Sequence, residues 1–427
     1  MHNKLIICLL AATLATALSA QVNYSAYPNP EFAQMIDERP WTANLTGCPY
    51  ELAVQPGPDT KAPKGYKPVY ISHYGRHGSR SGWDQKKYES IISALTQAKN
   101  AGILSASGDS LLNETVLVQK ATKKMDGRLT LRGQREHRGI AERMYRRFPA
   151  VFRKGSRSIR VLGSEIPRSL ISMAAFTNRL CELDRNLDIV MDCGSELQPI
   201  LYNSCGKEVR KAREKILDSL RKALNPDLSG MMNLLFTDAE AAKAFVPDAK
   251  AFSNAVFAVG RISRSFDFDF NTYRFLPFEA VYGWSDINNM SLYLGQCNSV
   301  PFGDVRMKRV RPLADHMVAM ADDALSSGST CADLRFGHDL PLLAISSLLG
   351  IEGVGERYTV DEARRHFITT LYAPFAGNLQ LIFYRCSKAG APVLVKVLLN
   401  ENEVLLKGLD PVQGPYYKWE DIRKRLQ

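Results

Sequence analysis

Pro68-Val69-Tyr70-Ile71-Ser72, followed without a break by His73-Tyr74-Gly75-Arg76-His77-Gly78-Ser79-Arg80, is the stretch from which the fold is read. A short run of β-branched and aromatic residues bounded by turn formers predicts a buried strand over 68–72. The glycines at 75 and 78 predict a tight loop after it, because they admit conformations and close approaches that a side chain blocks.

Strands and helices then alternate toward the C-terminus. A helix is predicted over 130–148, with Ile140, Ala141, Met144, Tyr145 and Phe148 on its apolar stripe. Arg135, Arg138, Arg143, Arg146 and Arg147 fall elsewhere and read as a solvated face. A strand over 158–163 leads to Pro167-Arg168, where proline suits the first turn of a helix. Another strand is expected near 187–191. Residues 206–306 read as mostly helical, strongly amphipathic over 207–224 and broken at Pro226, Pro247 and Pro277. A helix over 313–325 precedes a strand over 331–336, which ends in Gly337-His338-Asp339 before a helix over 340–349. Strands over 378–386 and 392–399 follow. Toward the N-terminus, residues 21–66 hold Pro, Gly, Asn and Asp without a sustained period and read as an irregular arm, with a glycosylation sequon at Asn44-Leu45-Thr46. This order predicts an α/β fold: a mostly parallel sheet flanked by helices over 67–427, carrying a helical insertion or cap from roughly 84–127 and 201–307.

Residues 1–20 read as an export signal. Lys4 supplies the positive end, residues 5–18 the apolar run, and Ala17, Ser19 and Ala20 the small residues for cleavage after 19 or 20. The expected location is therefore periplasmic or secreted. That run is short for a membrane anchor, and no other stretch reaches spanning length. After position 20 seven cysteines remain, Cys48, Cys181, Cys193, Cys205, Cys297, Cys331 and Cys386. Export permits disulfides, and nearness in sequence alone pairs Cys193 with Cys205. No C-x-x-C occurs, so neither a zinc ribbon nor a thioredoxin-type site is supported. The chain carries 55 basic against 44 acidic residues, a formal charge of +11 that favours anionic partners. Nucleic acid is set aside, since no interleaved aromatic platform or known motif accompanies the charge.

In open α/β sheets, sites form at the carboxyl ends of strands. The loops after positions 72, 163 and 336 all lie there. Phosphoryl transfer needs a nucleophile, a cradle for three oxygens and a proton for the leaving oxygen. Arg76, His77 and Arg80 offer a nucleophile between two guanidinium forks, and arginine forks bind phosphate in a bidentate manner. Arg168, in a first helical turn, adds a cation where backbone N–H groups also favour an anion. His338 offers a further hydrogen bond and Asp339 a proton.

The string Arg76-His77-Gly78-Ser79-Arg80 resembles the R-H-G-x-R of the histidine phosphatases, in their acid-phosphatase and phytase branch. Arg168 matches the third arginine of that branch, Gly337-His338-Asp339 its late H-D element, and Leu129-Thr130-Leu131-Arg132-Gly133-Gln134 its L-T-x-x-G segment. The resemblance implies a metal-independent phosphomonoesterase with no cofactor. It implies that His77 is the nucleophile that becomes a phosphohistidine, that Asp339 is the proton donor, and that Arg76, Arg80, Arg168 and His338 bind the phosphate. A phosphorylated small molecule is the implied partner and an acidic pH optimum the implied profile. The motif context is most similar to bacterial relatives of multiple inositol polyphosphate phosphatase, which points to inositol polyphosphates such as phytate. A direct H-D in place of that subgroup's H-A-E, and Ser81-Gly82-Trp83 in place of a proline-threonine continuation, leave a generic acid phosphatase open. Also open are a mutase, a catalytically inactive polyanion-binding surface protein, a His73/His77 zinc pair, Asp339 as a helix cap only, and an Arg168 pair with Glu165.

Overall fold

The computed structural model describes residues 22–82 and 85–427, so the export-signal reading of residues 1–20 lies outside it. β1 spans Tyr66–Arg76, β2 Ser158–Gly163, β3 Asp188–Cys193 and β4 Ala332–Gly337. β5 is Asn378–Cys386, β6 Leu394–Leu399, β7 Asn402–Glu403 and β8 Tyr416–Lys418. They form one sheet in the order β3-β2-β4-β1-β5-β6-β7, with β8 also on β6. β3, β2, β4 and β1 run parallel, whereas β5 pairs antiparallel with β1 and the later strands continue antiparallel. The α/β sheet is thus mixed, and its parallel half carries the three loops singled out in the sequence.

The sheet's two faces obey the period of two that a pleated strand imposes. Tyr70 and Tyr74 of β1, Leu379, Leu381 and Phe383 of β5, and Val395 and Val397 of β6 enter one core. Ile71, Ile382, Leu394 and Leu398 enter the other, with Ile159, Val161, Leu334 and Phe336. Helices Leu131–Arg147 and Pro167–Leu183 cover the second face through Ile140, Met144, Met173, Phe176 and Leu180. Each such fully buried side chain contributes about 1.5–3 kcal/mol. On the first face lie helices Gly303–Ser327 and Asp339–Leu349. Helices Gln85–Asn100, Ala106–Thr122 and Ala249–Gly260 pack together, so the two stretches expected as a cap touch each other.

Several expectations change. β1 does not stop at residue 72: Gly75 and Arg76 stay in register opposite Phe336 and Gly337. Gly75 is needed within the strand, because a Cβ there would lie 2.6 Å from the ring of His73. The arm is not irregular. Pro30–Glu38 is helical, capped by Asn29 and buried through Phe32, Ala33 and Ile36, and Pro40–Gly47 forms 3-10 turns. Such short turns carry no readable period. Asn44 of the sequon is fully buried, with Oδ1 accepting from the Tyr273 hydroxyl at 2.7 Å, and is closed to a glycan in the fold. All seven cysteines beyond position 20 are free thiols, so Cys193 and Cys205 are not paired; the first is exposed and the second buried. The arginines of the Leu131–Arg147 helix are ion-paired rather than merely solvated: Arg138 to Glu182 and Arg143 to Glu401, both at 2.7 Å, Arg147 to Asp59 at 2.8 Å, and Arg135 to Asp267. Among the described residues, no helix is long and apolar enough to cross a membrane.

Candidate active site

The parallel register sets Arg76 beside Gly337 and Gly163 beside Phe336. The residues just past each strand end therefore meet. The His77 amide donates to the Gly337 carbonyl at 3.0 Å and the Ser164 amide to the Phe336 carbonyl at 2.9 Å. Their ring centroids put His77 5.4 Å from His338, nearly edge to face.

His77 is buried, and its Nδ1 lies 2.9 Å from the Gly78 carbonyl. A carbonyl only accepts, so Nδ1 holds the ring proton and Nε2 carries the lone pair. Burial, reinforced by Arg76, His338, Arg168 and Arg80, keeps His77 well below the ordinary histidine range. Burial thus favours the neutral ring, which leaves the Nε2 lone pair available.

Asp339 opens the Asp339–Leu349 helix as its first residue, and His338 holds the cap position. The capping alternative thus fails. Asp339 Oδ2 instead sits 3.3 Å from Arg76 Nη2. Burial pushes the Asp339 carboxyl up, but Arg76, His338, Arg80 and Arg168 together outweigh it and hold it below the usual carboxylate value. Arg76 is itself buried; its guanidinium donates to the carbonyls of Thr46 and, at 3.2 Å, Ala373. The Arg76 and Arg80 guanidinium carbons lie 4.6 and 5.7 Å from the Phe375 ring centre. Arg168, in the first turn of Pro167–Leu183, donates from Nη2 to His338 Nδ1 at 3.3 Å. His338 Nε2 faces the Ser164 hydroxyl at 3.2 Å, and burial, followed by Arg168, lowers His338 to about 3. All six residues named from the sequence are brought together.

Other residues fix them, and the sequence reading gave none of these a structural role. Glu136 lies buried on the Leu131–Arg147 helix and accepts from the Ser79 amide and hydroxyl at 2.7 Å each, and from the Tyr50 amide at 3.0 Å. Thr130 caps that helix while its amide and hydroxyl donate to the Ser79 carbonyl at 2.9 and 3.0 Å. Gly78 donates to the Ser172 hydroxyl at 3.1 Å. Tyr74 accepts from the His338 amide and donates to the Leu201 carbonyl, both at 3.0 Å. Thr130 and Gly133 were visible as a motif; Glu136 had no signal beyond its place three residues after Gly133. The arrangement can present a neutral nitrogen to an electrophile that bears negative charge, surround that charge with guanidinium groups, and pass a proton through Asp339.

The sequence pattern of the histidine phosphatase superfamily (branch 2) matches residues 75–400. A stretch of 97 residues is 28% identical to multiple inositol polyphosphate phosphatase 1 of Dictyostelium discoideum, covering 22% of this chain and 15% of that protein's length. Multiple inositol polyphosphate phosphatase of Bifidobacterium longum, solved with inositol hexasulfate, superposes with a TM-score of 0.72 at 18% identity over 90% of this chain and 97% of that one. The phytase of D. castellii gives 0.64 at 15% identity over 90% and 84%. At these identities the structural likeness is one of fold.

Proposed function

The chain belongs to the histidine phosphatase superfamily, branch 2, and from that premise we propose that it is a phosphomonoesterase working through a phosphohistidine, with inositol polyphosphates such as phytate as substrates. The observation that carries this reading is the His77 tautomer: Nδ1–H is bound to Gly78, which leaves Nε2 to attack within a cluster of guanidinium groups.

Nε2 of His77 attacks phosphorus in line, and the phosphorus–oxygen bond to the alcohol breaks. Protonated Asp339 gives its proton to the departing alkoxide. Asp339, now a carboxylate, takes a proton from water as the water oxygen attacks phosphorus. The phosphorus–nitrogen bond breaks, inorganic phosphate leaves and His77 returns neutral. Arg76, Arg80 and Arg168 take up the oxygen charge in both steps. In the substrate-free cluster the cations disfavour a protonated Asp339. A bound phosphate offsets those cations, raises the carboxyl and favours activity in acid. His338 is assigned to phosphate binding together with Arg168, whose guanidinium it orients through Nδ1.

Export to the periplasm or medium is part of the proposal, supported by Lys4, the apolar run over 5–18 and the small residues after it. The test is phosphate release from phytate and from p-nitrophenyl phosphate, with inositol products resolved. Preference for phytate with a defined product series supports the proposal; equal turnover of both leaves a generic acid phosphatase; no release from either leaves a polyanion-binding protein.

A further inference from the structure

Helix Phe278–Gln296 brings Glu279, Tyr282 and Asp286 to one side, because residues three and four apart share a helix face. Tyr27 of the N-terminal arm, Leu220 and Leu224 at the end of helix Lys207–Ala223, and Arg364 of helix Val360–His366 close around that face. Together they line a cavity of about 290 Å³, near the small end of ligand-sized pockets. None of its lining residues belongs to the cluster around His77.

Asp286 is only 3% exposed. Both contacts from Arg364 fall on one of its oxygens, Nε at 2.9 Å and Nη2 at 2.8 Å from Oδ2. Oδ1 is buried and meets no donor among the described residues. Burial outweighs Arg364 and pushes the Asp286 carboxyl above its ordinary value. One guanidinium therefore does not offset the cost of withdrawing this charge from water, and a second cationic donor does. The Tyr27 and Tyr282 rings stand beside it, centroids 4.6 Å apart and tilted by 49°, and the Asn29 amide fixes the Tyr282 hydroxyl at 3.1 Å. Faces of such rings attract a cation. The lining carries two carboxylates against one guanidinium, a local negative excess on a chain of formal charge +11. Among the described residues no group of three His, Cys, Asp or Glu could hold a metal ion, and Leu220, Leu224 and Ile287 make much of the wall apolar. The cation that suits this cavity is organic.

We propose that the cavity is a binding site for a primary alkylammonium. The ammonium donates to Asp286 Oδ1 and lies against the tyrosine rings, and its alkyl chain runs along Leu220, Leu224 and Ile287. The site goes beyond the phosphatase reading and shares no residue with it.

The test is calorimetric titration of the full chain with n-pentylammonium chloride and, separately, with pentan-1-ol, which has the same alkyl chain without the charge. The ammonium is expected to bind at least ~10-fold more tightly than the alcohol, the difference that one charge-assisted contact makes. Asp286→Asn, which keeps the shape and removes the charge, is expected to weaken ammonium binding at least ~10-fold and to bring it close to that of the alcohol. Ala223 is exposed at the rim of the cavity, so Ala223→Trp fills the space without touching the Asp286–Arg364 pair and is expected to weaken both ligands. If Asp286→Asn does not fold, Ala223→Trp decides the location and the ammonium-to-alcohol ratio decides the chemistry. Absence of ammonium binding, equal affinity for the alcohol, or an affinity that a folded variant leaves unaltered overturns the proposal.

Discussion

Glu136 holds Ser79 at two points, accepting from its amide through Oε2 and from its hydroxyl through Oε1, each at 2.7 Å. Ser79 lies between His77 and Arg80, so this contact sets the spacing of the motif. Every bond Glu136 makes there is accepted. Glu136→Gln turns one acceptor into a donor facing a donor, and is expected to cost about 3 kcal/mol of stability and at least ~10-fold in kcat. Denaturant unfolding and turnover measure the two effects; a variant as stable and active as wild type would remove Glu136 from the account.

Gly78 and Gly133 touch backbone to backbone. A Cβ on Gly78 would lie 2.5 Å from the Gly133 carbonyl oxygen, and one on Gly133 would lie 2.4 Å from that of Ser79. Neither obstacle is a flexible side-chain end. Alanine at either position is expected to lower stability by about 1–3 kcal/mol and to displace His77 enough to suppress turnover. Thermal melts with kinetics on both variants check this.

Asp339→Asn separates proton donation from positive-charge balance. The amide cannot deliver a carboxylic proton, so hydrolysis of an inositol phosphate is expected to fall by about 10²–10⁴. p-Nitrophenolate leaves without help, so in the first, alcohol-releasing step, read by rapid-mixing kinetics, its ester should suffer far less, while the water-consuming second step slows for both. Equal losses on the two esters in that first step would contradict the donor role given to Asp339.

His73 and His137 lie buried beside Phe176 and Phe336, with ring centroids 5.3 to 6.5 Å apart across the cluster. Burial lowers both to about 3 from an ordinary 6.5. Below 6.5 the unfolded chain takes protons that the folded chain refuses. Their contribution is therefore whole above about pH 6.5 and is lost as pH falls toward 3, at roughly 1.4 kcal/mol per pH unit for each ring. Acid stability should thus limit the low-pH side of any activity profile. In urea titrations between pH 7 and 4.5, His137→Leu is expected to reduce the slope by one ring's share; an unaltered slope would show that His137 is charged in the fold.

The phosphoryl charge is assigned to guanidinium groups, so exhaustive chelation is expected to leave activity intact. Inactivation that only a divalent ion reverses would require another mechanism.

The grouping of the six candidate residues at strand ends and the core strands were legible because each depends on neighbours in the chain. A histidine between arginines is local, and strand composition is local. The distant ion pairs of the Leu131–Arg147 helix and the buried Asn44 were not legible, because the partners lie far away in sequence: Glu401 for Arg143, Tyr273 for Asn44. The order of the chain determined which groups could do chemistry at a strand end. Tertiary structure alone decided which tautomer His77 adopts, which cations overcome the burial of Asp339, and that Glu136 faces inward. Each of these depends on distance and on exclusion of water, and neither quantity exists until the sheet has brought residues 77, 136, 168 and 339 into one place.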